Sequence, residues 1–199
     1  MNVLVVVANP NPASFCHALA GVAVSALKDA GHAAVFHDLY AEKFDPVLGP
    51  DELAGDCLLS PVVQKHCGEV SSADGIIVIH PNWWGQPPAI LKGWMDRVFR
   101  QGTAYEFSQG DNGEGVPRGL LKATAAVILN TSNTPLEREQ AEFGDPLEAI
   151  WKNCIFRFCG VNAFRRRTYS AVVSSTPEQR AEWLADAAGI VSEIFSPRI

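Results

Sequence analysis

The stretch GIIVIHPNWWGQPPAILKGWMDRVF, residues 75–99, decides how this chain folds. Gly75 to His80 is a short apolar run closed by a turn signal, the pattern of a strand buried on both faces of a parallel sheet. Pro88 is pre-organised for the first helical position. Ile90, Leu91, Trp94, Met95, Val98 and Phe99 then recur at one-turn spacing, a stripe that packs on such a sheet. A loop between the carboxyl end of a parallel strand and a helix is where open α/β sheets bind ligands. This loop sets two adjacent tryptophans and a glycine beside exposed backbone amides, a surface suited to a flavin ring.

Outward from this unit the alternation repeats. Asn2 to Ala8 reads as a central strand, and after a Pro-rich turn Ser14 caps a helix whose Phe15, Leu19, Val22 and Ala26 share a face before Gly31 ends it. Ala33 to Leu39 is a second strand. Tyr40 to Leu53 is turn-rich and leads into an irregular helix through Lys65. Gly102 to Gly119 is a loop with an extended piece, Tyr105-Glu106-Phe107, and glycines at 110, 113, 115 and 119, long enough to wall a pocket. Ala123 to Leu129 is the fourth strand of the sheet, followed by a polar turn from Asn130 to Thr134. A helix from Pro146 to Phe158 and a strand from Asn162 to Tyr169 follow. Thr176, Pro177 and Gln179 then form a capping box for a last helix with Trp183, Leu184, Ala187, Ala188, Val191 and Ile194 on its apolar face. The expected fold is an α/β doubly wound sandwich, a five-stranded parallel sheet in the flavodoxin-like order 2-1-3-4-5, as one domain over residues 1–199.

Composition narrows the function. With 47% hydrophobic and 19% charged residues the chain can bury a substantial core, and a net charge of -6 disfavours nucleic acid or an anionic membrane surface as partner. No run approaches the roughly 20 apolar residues of a membrane-spanning helix. Cys16, Cys57, Cys67, Cys154 and Cys159 lack zinc spacing and are odd in number, which points to reduced thiols, a cytoplasmic location and no metal.

The first loop, Ala8 to Cys16, joins the central strand to a helix N-terminus, where free amides can hold a phosphate or pyrophosphate. It has neither the GxGxxG of a classical dinucleotide fold nor a GK[ST] phosphate loop. In the expected topology the loops after strands one, three and four share one edge. They would hold phosphate, ring, and a polar rim made by Thr131, Ser132 and Asn133. Charge grows on a flavin's N1 and O2 when it is reduced, and backbone amides around Trp83, Trp84 and Gly85 are donors for it.

Pro81 to Phe99, Gly102 to Phe107, the first strand with Ser14-Phe15, and Phe158-Cys159-Gly160 together resemble the NAD(P)H:quinone oxidoreductase family, the DT-diaphorase-like flavoproteins. The resemblance extends over nearly the whole chain, and Pro88-Ala89-Ile90-Leu91-Lys92-Gly93-Trp94 is its most specific part. It implies a flavodoxin-like homodimer that binds FAD or FMN and moves hydride from NAD(P)H to a quinone in a ping-pong cycle. Flavin contacts would fall on Ser14, Phe15, Cys16, Pro81, Asn82, Trp83, Trp84, Gly85, Thr131, Ser132 and Asn133, with Asn9 in place of a first-loop histidine. Trp84, Tyr105 and Phe107 would form the substrate wall. The family's charge-stabilising His and Tyr correspond here to Phe143 and, by simple spacing, Glu137. Neither donates a hydrogen bond, and a carboxylate opposes an anionic reduced flavin.

Plainer roles accompany several of these residues: packing for the Trp pair, Tyr105 and Phe107, a structural hydrogen bond for His80, core positions for Cys154 and Cys159. Arg165, Arg166 and Arg167 read as a solvated edge or as partners for a nucleotide phosphate. The expected function is a flavin-dependent NAD(P)H oxidoreductase acting on a small quinone or related electrophile. Azo or nitro reduction, a flavin-bearing regulatory subunit of a potassium-efflux system and a flavodoxin-type electron carrier remain alternatives.

Overall fold

A computed structural model describes residues 1–54, 58–108 and 114–196; Cys57, Gly110 and Gly113 lie outside the described residues. In chain order the elements are β1 (Asn2–Val7), α1 (Phe15–Asp29), β2 (Ala33–Asp38), α2 (Pro50–Ala54), α3 (Pro61–Ser72), β3 (Gly75–Pro81), α4 (Ala89–Val98), β4 (Tyr105–Glu106), β5 (Arg118–Gly119), β6 (Ala125–Thr131), α5 (Leu136–Phe143), α6 (Pro146–Glu148), β7 (Ala163–Tyr169) and α7 (Pro177–Ile194). A π-helical run, Ala149–Arg157, continues α6. Five strands form a parallel sheet in the order β2-β1-β3-β6-β7, the expected 2-1-3-4-5, and β4 pairs with β5 in a separate antiparallel ribbon.

The apolar strands alternate between two cores because successive side chains leave opposite faces of a sheet. Leu4, Val6, Ile76, Val78, Ala126 and Ile128 meet α3, α4 and the π-helical run. Val3, Val5, Val7, Ile77, Ile79, Val127 and Leu129 meet α1 and α7. Both faces are covered, which is why these strands carry continuous apolar runs. The stripe predicted on α4 is buried as expected, with Leu91, Trp94 and Val98 inaccessible to solvent.

The differences from the sequence reading have local causes. Pro88 is the N-cap of α4 and not its first residue. The irregular helix expected to end at Lys65 is replaced by the short α2 and a regular α3 that runs to Ser72, capped by Ser60 and burying Val63, Cys67 and Val70. Asn130 and Thr131, expected in a turn, extend β6 by pairing with His80 and Pro81 of β3 and with Thr168 and Tyr169 of β7. α5 has no buried residue, and its only large apolar side chains, Leu136 and Phe143, are both exposed, too few to announce a core-facing helix. The helix expected over Pro146 to Phe158 is short α turn followed by π geometry. The capping box of α7 is formed as read, with Gln179 N donating to Thr176 Oγ1 and Thr176 N to Gln179 Oε1.

Candidate active site

The site is built where β3 and β6 end side by side. Asn82 N donates to Thr131 O at 2.7 Å, carrying the pairing one residue past β3. The chain then reverses between Trp83 and Gln86, whose backbones exchange hydrogen bonds of 3.1 and 3.0 Å. The two central residues, Trp84 and Gly85, both have positive φ, 57° and 69°. That is the geometry of a tight primed turn, which glycine accepts freely and tryptophan adopts under strain. A Cβ on Gly85 would also lie 2.8 Å from Pro146 Cγ. The turn holds the Trp84 side chain entirely in solvent and leaves Trp84 N and Gly85 N without an acceptor among the described residues.

Beside this turn is a cavity of about 420 Å³, lined by Pro81, Asn82, Trp83, Trp84, Gly85, Thr131, Ser132, Asn133, Thr134, Glu139, Phe143 and Pro146. Its size and its mixture of flat aromatic walls with a few polar groups suit a small-molecule site. Glu139 Oε1 accepts from Asn82 Nδ2 at 2.9 Å and ties α5 to the loop. Asn82 Oδ1 is buried with no partner among the described residues, and behind it a water-sized space reaches Arg166, Thr168 and Ser170.

A buried polar chain holds the two strand ends in place. His80 Nδ1 donates to Pro81 O at 2.8 Å, so its Nε2 carries the lone pair that receives Trp151 Nε1 and Asn130 Nδ2, each at 2.9 Å. Burial pushes the His80 pKa down to about 4, and the nearby Arg166 charge adds to the shift. Arg166 Nε donates to Asn130 Oδ1 at 3.0 Å, and its Nη atoms reach Asp145 at 2.8 and 2.7 Å. The middle arginine of the Arg165–Arg167 run is therefore committed to internal acids and is not available to a nucleotide phosphate. Arg167 pairs with Asp186.

Among the described residues, His37, Glu42 and His66 lie close enough to share a metal ion. Hydrogen bonding closes the trio: His66 Nδ1 accepts from Trp94 Nε1 at 2.9 Å, so the Nε2 facing Glu42 bears the proton and has no lone pair for an ion. Both ring nitrogens of His37 face carboxylates, Glu42 and Glu69, at 2.8 Å.

A model of the flavodoxin-like fold matches residues 1–192. The chain belongs to the flavodoxin-like family. Among its relatives is an uncharacterized NAD(P)H oxidoreductase of Haemophilus influenzae, 34% identical over 166 residues, spanning 81% of this chain and 79% of that protein. NAD(P)H dehydrogenase [quinone] 1 of Cavia porcellus is 28% identical over 92% of this chain and 73% of its own length. The NAD(P)H:quinone oxidoreductase of Methanothermobacter marburgensis superposes with a TM-score of 0.85 at 23% identity, covering 100% of this chain and 99% of that one.

This flavodoxin-like chain brings nine residues singled out from the sequence to one cavity: Pro81, Asn82, Trp83, Trp84, Gly85, Thr131, Ser132, Asn133 and Phe143. Asn9, Ser14, Phe15 and Cys16 do not line it. Ser14 caps α1. Phe15 packs edge-on against Tyr169 and Trp183, because its side chain lies on the face of α1 that meets α7. Cys16 is buried, with Sγ 3.3 Å from Thr131 Oγ1 and 3.6 Å from Asn9 Nδ2, so it links the first loop to the end of β6. Tyr105 and Phe107 also stay outside the cavity. They pack on each other, and Tyr105 on Phe158 at 5.0 Å, because the β4–β5 ribbon folds against the α4-side core.

Simple spacing set Glu137 at the position of the family's tyrosine; the carboxylate that lines the cavity is Glu139, and Glu137 is exposed on another side of α5. Without a reading of α5 as a helix, spacing alone did not tell which side chain of this segment faces the cavity. Thr134 and Pro146 complete the lining residues that the sequence did not announce.

Proposed function

We propose that this protein is a flavin-dependent NAD(P)H oxidoreductase that passes hydride to quinones in a ping-pong cycle. The observation that carries the reading is the cavity at the carboxyl edge of β3 and β6, with its strained Trp84 turn, two free amides and aromatic walls. Those amides are donors for the ring oxygens and N1 of an isoalloxazine. The residues present fit the group. Thr131, Ser132 and Asn133 would bound the polar edge of the ring, and the first turn of α1, from Ser14 to Cys16, would take the phosphate of FAD or FMN. A bound flavin supplies the two-electron chemistry; the chain positions the ring and, with Trp84 and Phe143, presents a flat surface to whichever substrate occupies the cavity. Relatives named as quinone dehydrogenases support the acceptor class.

The purified protein is expected to be yellow with one flavin per chain, identified by acid extraction and chromatography. Rapid mixing should show NAD(P)H oxidation and quinone reduction as separable half-reactions. Protein that takes up no flavin on reconstitution would remove this reading, and stable one-electron reduction with little NAD(P)H oxidation would favour an electron carrier.

The cavity has an open aromatic side, with Phe143 64% and Trp83 43% exposed. A second copy related by a two-fold axis would cover it, bringing Phe107 and Phe143 toward the partner's cavity. Light scattering at micromolar concentration should therefore give about twice the 21.5 kDa chain mass. A fully active monomer would contradict the assembly.

A further inference from the structure

Of the described residues lining the cavity, Glu139 alone is ionisable. Its Oε1 is held by Asn82 Nδ2, and its Oε2 has no partner among the described residues. Among the described residues no cation lines the cavity to offset it. Arg166 is turned away into Asp145 and Asn130, and Arg138 is exposed elsewhere on α5. Glu137 and Glu142 add negative charge on the same helix, and the chain as a whole carries -6.

We infer that Glu139 selects acceptors by charge, so that the cavity favours flat acceptors bearing a positive charge and disfavours anionic ones. This rests on the reading that the cavity receives flat electron acceptors. A single carboxylate in a cleft with aromatic walls acts on a ligand without competing counter-charge, because low-dielectric walls focus its field. The exposed faces of Trp83, Trp84 and Phe143 act in the same direction, since aromatic faces attract cations. At a separation of several ångströms with partial solvent screening, one such charge changes affinity about tenfold in each direction. The carboxylate attracts one ligand sign and repels the other, so the two effects compound.

The test uses three naphthoquinones sharing one ring: one with a trimethylammonium group, one unsubstituted and one sulfonated. Their affinities for the flavin-loaded protein are measured by calorimetry without NAD(P)H, so that binding is read apart from turnover. The trimethylammonium compound is expected to bind about tenfold tighter than the neutral one and the sulfonate about tenfold weaker. Glu139→Gln keeps an acceptor for Asn82 Nδ2 and removes the charge; it should bring the three affinities to within about threefold. Glu137→Gln should leave the order intact, because that side chain does not face the cavity.

Raising salt from about 20 to about 300 mM should narrow the spread in the unmodified protein, an independent reading should the Glu139 variant fail to fold. A sulfonate that binds as tightly as the cation, an order that survives Glu139→Gln, or no binding by any of the three overturns the inference. Ordered binding with no NAD(P)H-driven reduction of any of them would overturn the oxidoreductase reading and leave the role of Glu139 standing.

Discussion

Trp84→Gly is expected to leave the protein as stable as before, or slightly more so, while lowering quinone reduction about 5- to 150-fold. The Trp84 ring is fully exposed, so its removal forfeits no buried contact. Its backbone sits at φ 57°, where a residue with a Cβ bears roughly 1 kcal/mol of strain that glycine relieves. In the other direction, loss of the ring surface at the cavity removes roughly 1–3 kcal/mol of positioning for a flat substrate or cofactor. Trp84→Ala should show a similar kinetic loss without the gain in stability, because alanine keeps the strain. Thermal denaturation and rapid-reaction kinetics on both variants separate the two effects. A glycine variant that melts several degrees lower would mean that the ring has a packing role, and unchanged half-reactions would remove Trp84 from the site.

Stability should fall steeply with acid between about pH 6.5 and about pH 4, the window set by His66 and His80. Both are buried, at 2% and 0% exposure, and burial holds both well below the ordinary histidine value, at about 4. A neutral buried imidazole favours the folded state only while the unfolded chain is also neutral. The contribution is therefore complete above pH 6.5 and is lost as pH falls toward 4, where the unfolded chain takes up protons that the folded one refuses. Each histidine accounts for ~3 kcal/mol over that span, a large share of the stability of an ordinary domain. Urea midpoints measured from pH 7.5 to 4.5 read this directly. His80→Gln, which keeps an acceptor for Trp151 and Asn130, should flatten about half of the dependence. A midpoint that does not move over the interval would mean that neither ring is shielded as the hydrogen bonds indicate. Since His80 joins β3, β6 and the π-helical run, acid should also loosen the site before the chain unfolds.

How legible the molecule was in its sequence depended on where the determining interactions lie. The strands β1 and β3 and the helices α4 and α7 announce themselves because their apolar periods and caps are written in consecutive residues. All five strands of the sheet were legible, β7 from its place in the alternation rather than from an apolar run, and the doubly wound order followed from the covering helices and the right-handed crossovers of βα units. α5 did not announce itself, since eight mostly charged residues with only Leu136 and Phe143 as large apolar side chains carry too little apolar surface to mark a core-facing helix. Asn130 and Thr131 looked like turn residues because polarity is a local property, whereas their place in β6 comes from pairing on both sides and from the side chains that satisfy them, His80 and Arg166 for Asn130 and Cys16 for Thr131.

For the candidate site, the sequence by itself determined the loops: Pro81 to Gly85 and Thr131 to Asn133 are consecutive segments, and a parallel sheet leaves them at one edge. Tertiary structure alone decided which side chains those loops share a cavity with. It turned Phe15 and Tyr105 into packing residues, aimed Arg166 inward to Asp145, and put Glu139 rather than Glu137 on the cavity wall. The physical reason is that backbone direction follows from local propensity and burial pattern. Which face of a helix or loop meets a neighbour is settled only when the two cores close around the sheet.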